Sequence, residues 1–385
     1  MIKCASLFTL EVDNPEIAAS EIKEQLDAKL DLLENTVGVI MCNPEFVASG
    51  VLKEVCDSLP FELAGITTAS QAVNDELGEL ILTVFVITSD DVQFITGATE
   101  SVSEDVDGPV MDAMVSVFKE NPEKPELAIV FPPFGLHAGD TYVHAWEKVI
   151  PGVPVFGTCS IDDTAAFSEC ETIYNGGNFK SAITYILCYG NIHPRFLVAT
   201  LTKVSPLTTK AKVTKATANC VNEINNVSAL QYFDDLGYTE SVTFTPFMID
   251  FLEREDYDGV PVIRGHAAFT EEGAAIFYGD VDEGSTITIM VCDPSDIEAT
   301  TRQKLEQINQ LADVNGALLF PCVVRRAALI GANMPLLELK SARDTIHPDI
   351  PYMMGYAGGE ICPTSMNEGI PTNRFHNYSL VILVI

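Results

Sequence analysis

Positive charge is what this sequence most lacks: its 385 residues hold 22 Lys and Arg against 55 Asp and Glu, a formal net charge of −33. Nucleic-acid binders displace counterions with clustered Lys and Arg, so that class of function is excluded. An anionic membrane surface repels the chain for the same reason. The ten cysteines form no CxxC pair and keep no regular spacing. Cys42, Cys159, Cys188, Cys292 and Cys322 sit inside apolar runs, as expected of free thiols packed as small hydrophobes in a reducing compartment. No apolar run reaches the roughly 18 residues a membrane-crossing helix needs; the best, 80–88 and 379–385, have strand length. The opening MIKCASLFTLEVDNPE shows neither the apolar core nor the cleavage site of a secretory signal. A cytoplasmic protein is the expectation. GxGxxG, the phosphate-binding GxxxxGK[ST], HExxH and GxSxG are all absent, so no cofactor is called for.

Apolar residues make up 47% of the chain and charged ones 20%, which is too apolar for disorder and describes a globular protein with an acidic skin. A chain this long buries about three quarters of its surface and has a prior of roughly two domains. Asp13-Asn14-Pro15 reads as a helix start, followed by Ile22, Leu26, Leu30 and Leu33 at helical spacing. From Val37 an internal repeat appears. Its copies begin TVGVIMC, ELAIVFP and NGALLFPC; each continues through a helix (46–59, 140–149, 335–345) into a strand ending in Gly65, Gly157 or Gly355, then a polar loop and another strand. Between copies two and three, PVIRGHAAF, GAAIFYGDV and STITIMVCD read as an antiparallel meander, and Asp293-Pro294 as the cap and first turn of a helix. The expected fold is α/β to α+β, with mixed sheets flanked by helices and built from repeated strand-helix-strand-strand units in two closely packed domains. The expected boundaries are an N-terminal strand and helix over 1–35, one domain over 36–193 and a second over 194–385.

The polar residues gather toward the C-terminus. Gly358-Gly359-Glu360 reads as a turn presenting Glu360, and Asn373-Arg374-Phe375-His376-Asn377 as the entry to the last strand, with Asn373, Phe375 and Asn377 on one face and Arg374 and His376 on the other. In so acidic a chain, Arg325-Arg326 after the strand GALLFP, and Arg264 before Gly265-His266, are conspicuous: an arginine can grip a carboxylate with two parallel bonds, and can equally be held in a salt bridge by one of the many acids. Cys322 is a nucleophile only if a neighbour lowers its pKa; otherwise it is a buried structural thiol. His137, Asp140 and His144 share a helical face, which is weak support for a metal site.

At these C-terminal residues the chain resembles the FIST family, sensory proteins with paired FIST N and FIST C domains. The resemblance rests on Met354-Gly355-Tyr356-Ala357-Gly358-Gly359-Glu360-Ile361, on Asn373 to Asn377, on Leu318 to Arg325, and more loosely on the small-residue loop Gly65-Ile66-Thr67-Thr68-Ala69-Ser70. It covers about 40–385. It implies a sensor of small ligands, amino acids or their derivatives, whose output comes from a partner protein, since two such domains fill this chain. An amino-acid ligand needs a cation for its carboxylate and an acceptor for its ammonium, and Arg325 or Arg264 and Glu360 can supply them. Asn373, His376 and Asn377 offer neutral hydrogen bonds, Tyr356 and Phe375 offer walls, and Gly65, Thr67, Gly157 and Thr158 are possible loop contacts. Two other readings compete: a hydrolase or amidase using Cys322 and His376, and an interaction scaffold without a ligand.

Overall fold

The computed structural model describes residues 1–164, 166–206, 209–238 and 245–385. The first repeat runs β1 (Ile2–Thr9), α1 (Pro15–Lys29), β2 (Asn35–Cys42), α2 (Pro44–Ala48), α3 (Val51–Ser58), β3 (Glu62–Thr67), a hairpin of β4 (Gln71–Val73) and β5 (Leu77–Gly78), and β6 (Leu82–Ser89). The second runs β7 (Val92–Ala98), α4 (Asp107–Glu120), β8 (Leu127–Phe131), α5 (Gly139–Val149), β9 (Val155–Cys159), a hairpin of β10 (Thr172–Tyr174) and β11 (Gly177–Phe179), and β12 (Thr184–Gly190). The third opens with β13 (Arg195–Ala199) and is interrupted by β14 (Ala211–Thr217), β15 (Cys220–Ile224), β16 (Val227–Ser228), α6 (Ala229–Asp235), β17 (Pro246–Asp250), β18 (Val262–Phe269), β19 (Ala275–Phe277) and β20 (Thr286–Ile289). It resumes with α7 (Pro294–Gln310), β21 (Ala317–Pro321), α8 (Val323–Gly331), α9 (Leu337–Thr345), β22 (Tyr352–Gly355), a hairpin of β23 (Gly358–Asn367) and β24 (Ile370–His376), and β25 (Leu380–Val384).

Local chemistry accounts for the helix starts. Asn14, Asn43 and Asp293 each accept a bond from a first-turn amide, and each is followed by a proline at the first helical position. The helix expected over 46–59 is two helices, because Gly50 takes a left-handed φ of +83° between them.

Each repeat builds one six-stranded sheet on the same plan. The orders are β1-β6-β2-β3-β10-β11, β7-β12-β8-β9-β23-β24 and β13-β25-β21-β22-β4-β5. In each, the strands on either side of the middle helix are parallel (β2 with β3, β8 with β9, β21 with β22), and the repeat's last strand returns antiparallel beside the first of them. The hairpin does not stay in its own sheet. The first repeat's hairpin completes the third sheet, the second's completes the first, and the third's completes the second. Chain therefore crosses position 193 in both directions, and the halves are interlocked.

The three sheets face one another around a shared core. Val37, Val39 and Met41 of β2, Leu127, Ile129 and Phe131 of β8, and Leu318 and Phe320 of β21 all point into it, and Phe156 stacks on Phe320 at 5.2 Å. The alternate residues point outward beneath helices: Ile40 and Cys42 under α1–α3, Ala128 and Val130 under α4 and α5, Ala317 and Leu319 under α7–α9. Burial on both faces is why these strands read as unbroken apolar runs rather than as alternations. Two of the repeat's three glycines permit the parallel pairs, whereas Gly355 lies one position past the equivalent Met354 and faces the Met41 side chain instead. A Cβ on Gly65 would stand 1.7 Å from the Ile40 carbonyl oxygen, and one on Gly157 1.8 Å from that of Val130.

The insertion is a closed antiparallel barrel, because β14 pairs with β20 at one end and with β15 at the other of the order β20-β17-β18-β19-β15. The expected meander holds only for β18 and β19. The third run, β20, pairs with β17 and β14 instead, since closing a barrel removes edges that a short open meander leaves bare. Two further expectations are corrected. Val323 to Gly331 is a helix rather than the end of a strand, and Glu360 lies within a strand whose hairpin turns at Glu368-Gly369, so NRFHN ends the penultimate strand instead of entering the last.

A cleft where three strand ends and the barrel meet

Equivalent strand ends of the second and third repeats converge beneath the barrel. Phe134 follows β8, Cys322 to Val324 begin α8, Gly358 and Gly359 begin β23, and Asn377 and Tyr378 join β24 to β25; with Phe167 of the β9–β10 loop and Gly265 and Tyr278 of the barrel they line a narrow cleft of about 20 Å³. That volume holds little more than one water. The walls are aromatic: Phe134 meets Phe167 edge-on at 5.6 Å and Tyr278 at 5.9 Å. Glycine is required where the walls close in, since a Cβ on Gly358 would stand 2.7 Å from the Phe134 ring and one on Gly359 2.3 Å from that of Phe375.

Behind Cys322 and Gly359 lies Glu360, wholly buried. The Cys322 thiol and the Ser379 amide are its polar neighbours, yet neither carboxyl oxygen has a hydrogen bond of good geometry. Burial holds its pKa well above the usual carboxylate range despite Cys322 and Arg325 nearby, which favours the protonated acid. Burial, then the Glu360 carboxyl, likewise pushes the Cys322 thiol far up. A thiol and a carboxyl thus lie side by side, and burial favours the protonated form of each.

The other residues singled out from the sequence are placed as follows. Arg325 is fully buried and directs its Nε and Nη2 to Glu338, Nη2 also to Thr301, and Nη1 to the Tyr378 carbonyl. The Tyr356 hydroxyl donates to the same Glu338 at 3.1 Å. Arg264 grips Asp140 of α5 through Nη2 at 2.8 and 3.1 Å and donates to the carbonyls of Asp280 and Phe375. Arg374 is held by Asp256, and Arg326 by Glu79. Asn373 accepts from the Val155 amide and donates to the Val153 carbonyl, tying β24 to the start of β9. Asn377 accepts from the Gly265 amide at 3.1 Å, tying the barrel to the end of β24. Thr158 donates to the Gly359 carbonyl at 3.1 Å and so orients the cleft wall, while Thr67 exchanges bonds with the Glu171 backbone. Gly65 and Gly157 lie within the parallel pairs. The structure thus brings Asn377 to the cleft with Cys322, sets Glu360 behind them rather than on the lining, and commits the arginines to partners. Of the helical trio, Asp140 serves Arg264, His137 meets the Val102 carbonyl, and His144 lies 4.0 Å from Asp280.

Sequence reasoning did not find the walls Phe134, Phe167, Tyr278 and Tyr378, nor the acids Glu338 and Asp140 as partners of the arginines. The repeat held a signal for one of them: Phe134 occupies in copy two the place of Val323 in copy three, just past the first parallel strand.

His376 is buried, with Nε2 on the Cys362 carbonyl and Nδ1 unpartnered. Burial lowers its pKa to about 4. The unfolded chain protonates this imidazole near pH 6.5 while the fold keeps it neutral, so its contribution is full above about 6.5 and is lost as pH falls toward 4. Over that window the loss amounts to about 3 kcal/mol. Denaturant melts of wild type and His376→Gln should differ more at pH 7 than at pH 4; parallel pH profiles would refute the assignment.

Three sheets under flanking helices, with a fourth closed on itself, make this a mixed α/β protein of two domains. Family models of the FIST N domain and the FIST C domain match residues 36–227 and 229–363, and the chain belongs to the FIST family. FIST domains are associated with ligand binding in sensory and signal-transduction proteins. No curated protein matches the chain significantly. No helix among the described residues is long and apolar enough to cross a membrane.

Proposed function

We propose that this protein is a cytoplasmic small-molecule sensor whose ligand, an amino acid or related metabolite, enters the aromatic cleft between the barrel and the strand ends. The observation that carries this reading is the buried, hydrogen-bond-deficient Glu360 beside Cys322 at the back of an aromatic-walled cleft: an unsatisfied acid is costly to bury, and a ligand that satisfies it recovers that cost. The cleft is closed to anything larger than a water, so binding selects a state in which the Phe167 ring has swung aside. Ligand then shifts the population toward that state and changes the surface shown to a signalling partner.

A thermal-shift screen against amino acids and related metabolites tests this. A true ligand at a hundred times its Kd adds about 2.7 kcal/mol, and Phe134→Ala, which removes a wall, should abolish most of the shift. A shift indifferent to Phe134→Ala would place the ligand elsewhere. The hydrolase reading is less well supported, because a thiol raised by burial is a poor nucleophile and His376 is directed to the Cys362 carbonyl. Iodoacetamide at pH 7 separates the two, slow labelling of Cys322 favouring the sensor and rapid selective labelling the enzyme.

A further inference from the structure

The charges around the cleft are lopsided, and that asymmetry selects among ligands of the proposed site. No lysine or arginine lines it. The nearest arginine, Arg325, spends its fork on Glu338, Thr301 and the Tyr378 carbonyl, and Arg264 spends its own on Asp140 and two carbonyls. The first amide of α8, a possible anion donor, is already bonded: Val323 N–H reaches the Ala357 carbonyl at 2.8 Å. A ligand carboxylate would therefore enter an aromatic, desolvated space without a counter-charge, which disfavours it strongly. An ammonium faces the opposite situation. Glu360 is a buried acid with neither oxygen in a hydrogen bond of good geometry, the Phe134, Phe167 and Tyr278 rings offer π faces, and a chain of net charge −33 draws cations in at long range.

We propose that the ligand is a cationic primary amine with a flat apolar body rather than an intact amino acid, its ammonium meeting the Glu360 carboxyl beside Cys322. This rests on the cleft being the ligand site. The amine arrives as R–NH₃⁺ and leaves Glu360 as a carboxylate paired with it, so the carboxyl proton passes to solvent. Binding thus releases the proton that the buried carboxyl holds.

Three matched probes share one ring: phenethylamine, with the ammonium alone; phenylalanine, with both charges; and 3-phenylpropionate, with the carboxylate alone. Titration calorimetry at pH 7 in two buffers of different ionisation enthalpy reads affinity and proton release together. Phenethylamine should bind at least tenfold more tightly than either other probe, with release of about one proton, and Glu360→Gln should lose both the release and at least tenfold in affinity. The proton count on the wild-type protein stands even if the variant does not fold. Equal binding of phenylalanine or 3-phenylpropionate, amine binding without proton release, or no amine binding would each overturn the proposal. Protection of Cys322 from a thiol reagent tells which idea has failed. If phenylalanine binds and protects it, the cleft reading stands and the charge rule falls; if neither these probes nor any hit from the metabolite screen protects it, both fall.

Discussion

Replacing Asp140 with alanine should unfasten the barrel from the three-sheet body at a cost of about 3–5 kcal/mol. Asp140 and Arg264 are 2% and 0% exposed and share a two-pronged ion pair between α5 and β18. The same carboxylate accepts the Asp280 amide at 2.8 Å. Without it a guanidinium remains buried on carbonyl oxygens alone, and the loss reflects that stranded charge more than the worth of the pair. Asp280 is near enough to soften the effect: burial and the Asp140 charge hold its pKa above the usual range, and once Asp140 is gone it can ionise opposite Arg264. The lower end of the range is therefore expected. Urea unfolding should show the loss, with the barrel melting as a separate early step. Asp140→Leu combined with Arg264→Met, which removes both charges, should recover most of it. A cost under about 1 kcal/mol for the single variant would show that the pair does not hold the barrel.

Gly65→Ala should be more damaging, abolishing the folded protein altogether. The added methyl would lie 1.7 Å from the Ile40 carbonyl oxygen and 2.7 Å from its carbon, and no rotamer relieves a clash with backbone. Relief requires β2 and β3 to part, yet they are paired in register from Val37 with Glu62 to Cys42 with Thr67 at the centre of the first sheet. The expected loss exceeds about 4–5 kcal/mol, a large share of the stability of an ordinary protein. Gly50→Ala is the control. That glycine has φ of +83° with open space around its Cβ position, so alanine there costs about 1 kcal/mol of backbone strain. Circular dichroism and the yield of soluble protein distinguish the two; a Gly65→Ala protein melting within a few degrees of wild type would refute the steric argument.

The C-terminal residues that carry the family resemblance prove largely to be fasteners. Asn373 binds the start of β9, Asn377 binds the barrel, Phe375 fills the space left by Gly139 and Gly359, and His376 spans to Cys362. The cluster was visible in the sequence because polar residues in an apolar stretch stand out. What Asn373 and Asn377 touch was not, because the partner lies on another repeat or in the insertion, more than 100 residues away. Arg325 shows the same division: its isolation marked it as important, but an arginine that grips a ligand and one that grips Glu338 look identical until α8 and α9 are packed together.

By itself the sequence determined what depends on neighbours along the chain: the helix starts at Asn14 and Asp293, the apolar strands and the threefold repeat, all of which follow from capping, periodicity and propensity. Only the tertiary structure decided which sheet receives each hairpin, that the insertion closes on itself, and that Arg264 and Arg325 are committed to buried acids while Glu360 is left with no hydrogen bond of good geometry. Those outcomes turn on long-range pairing, in which any of 55 acids or any strand edge is a chemically adequate partner and only the packing of the whole chain selects one.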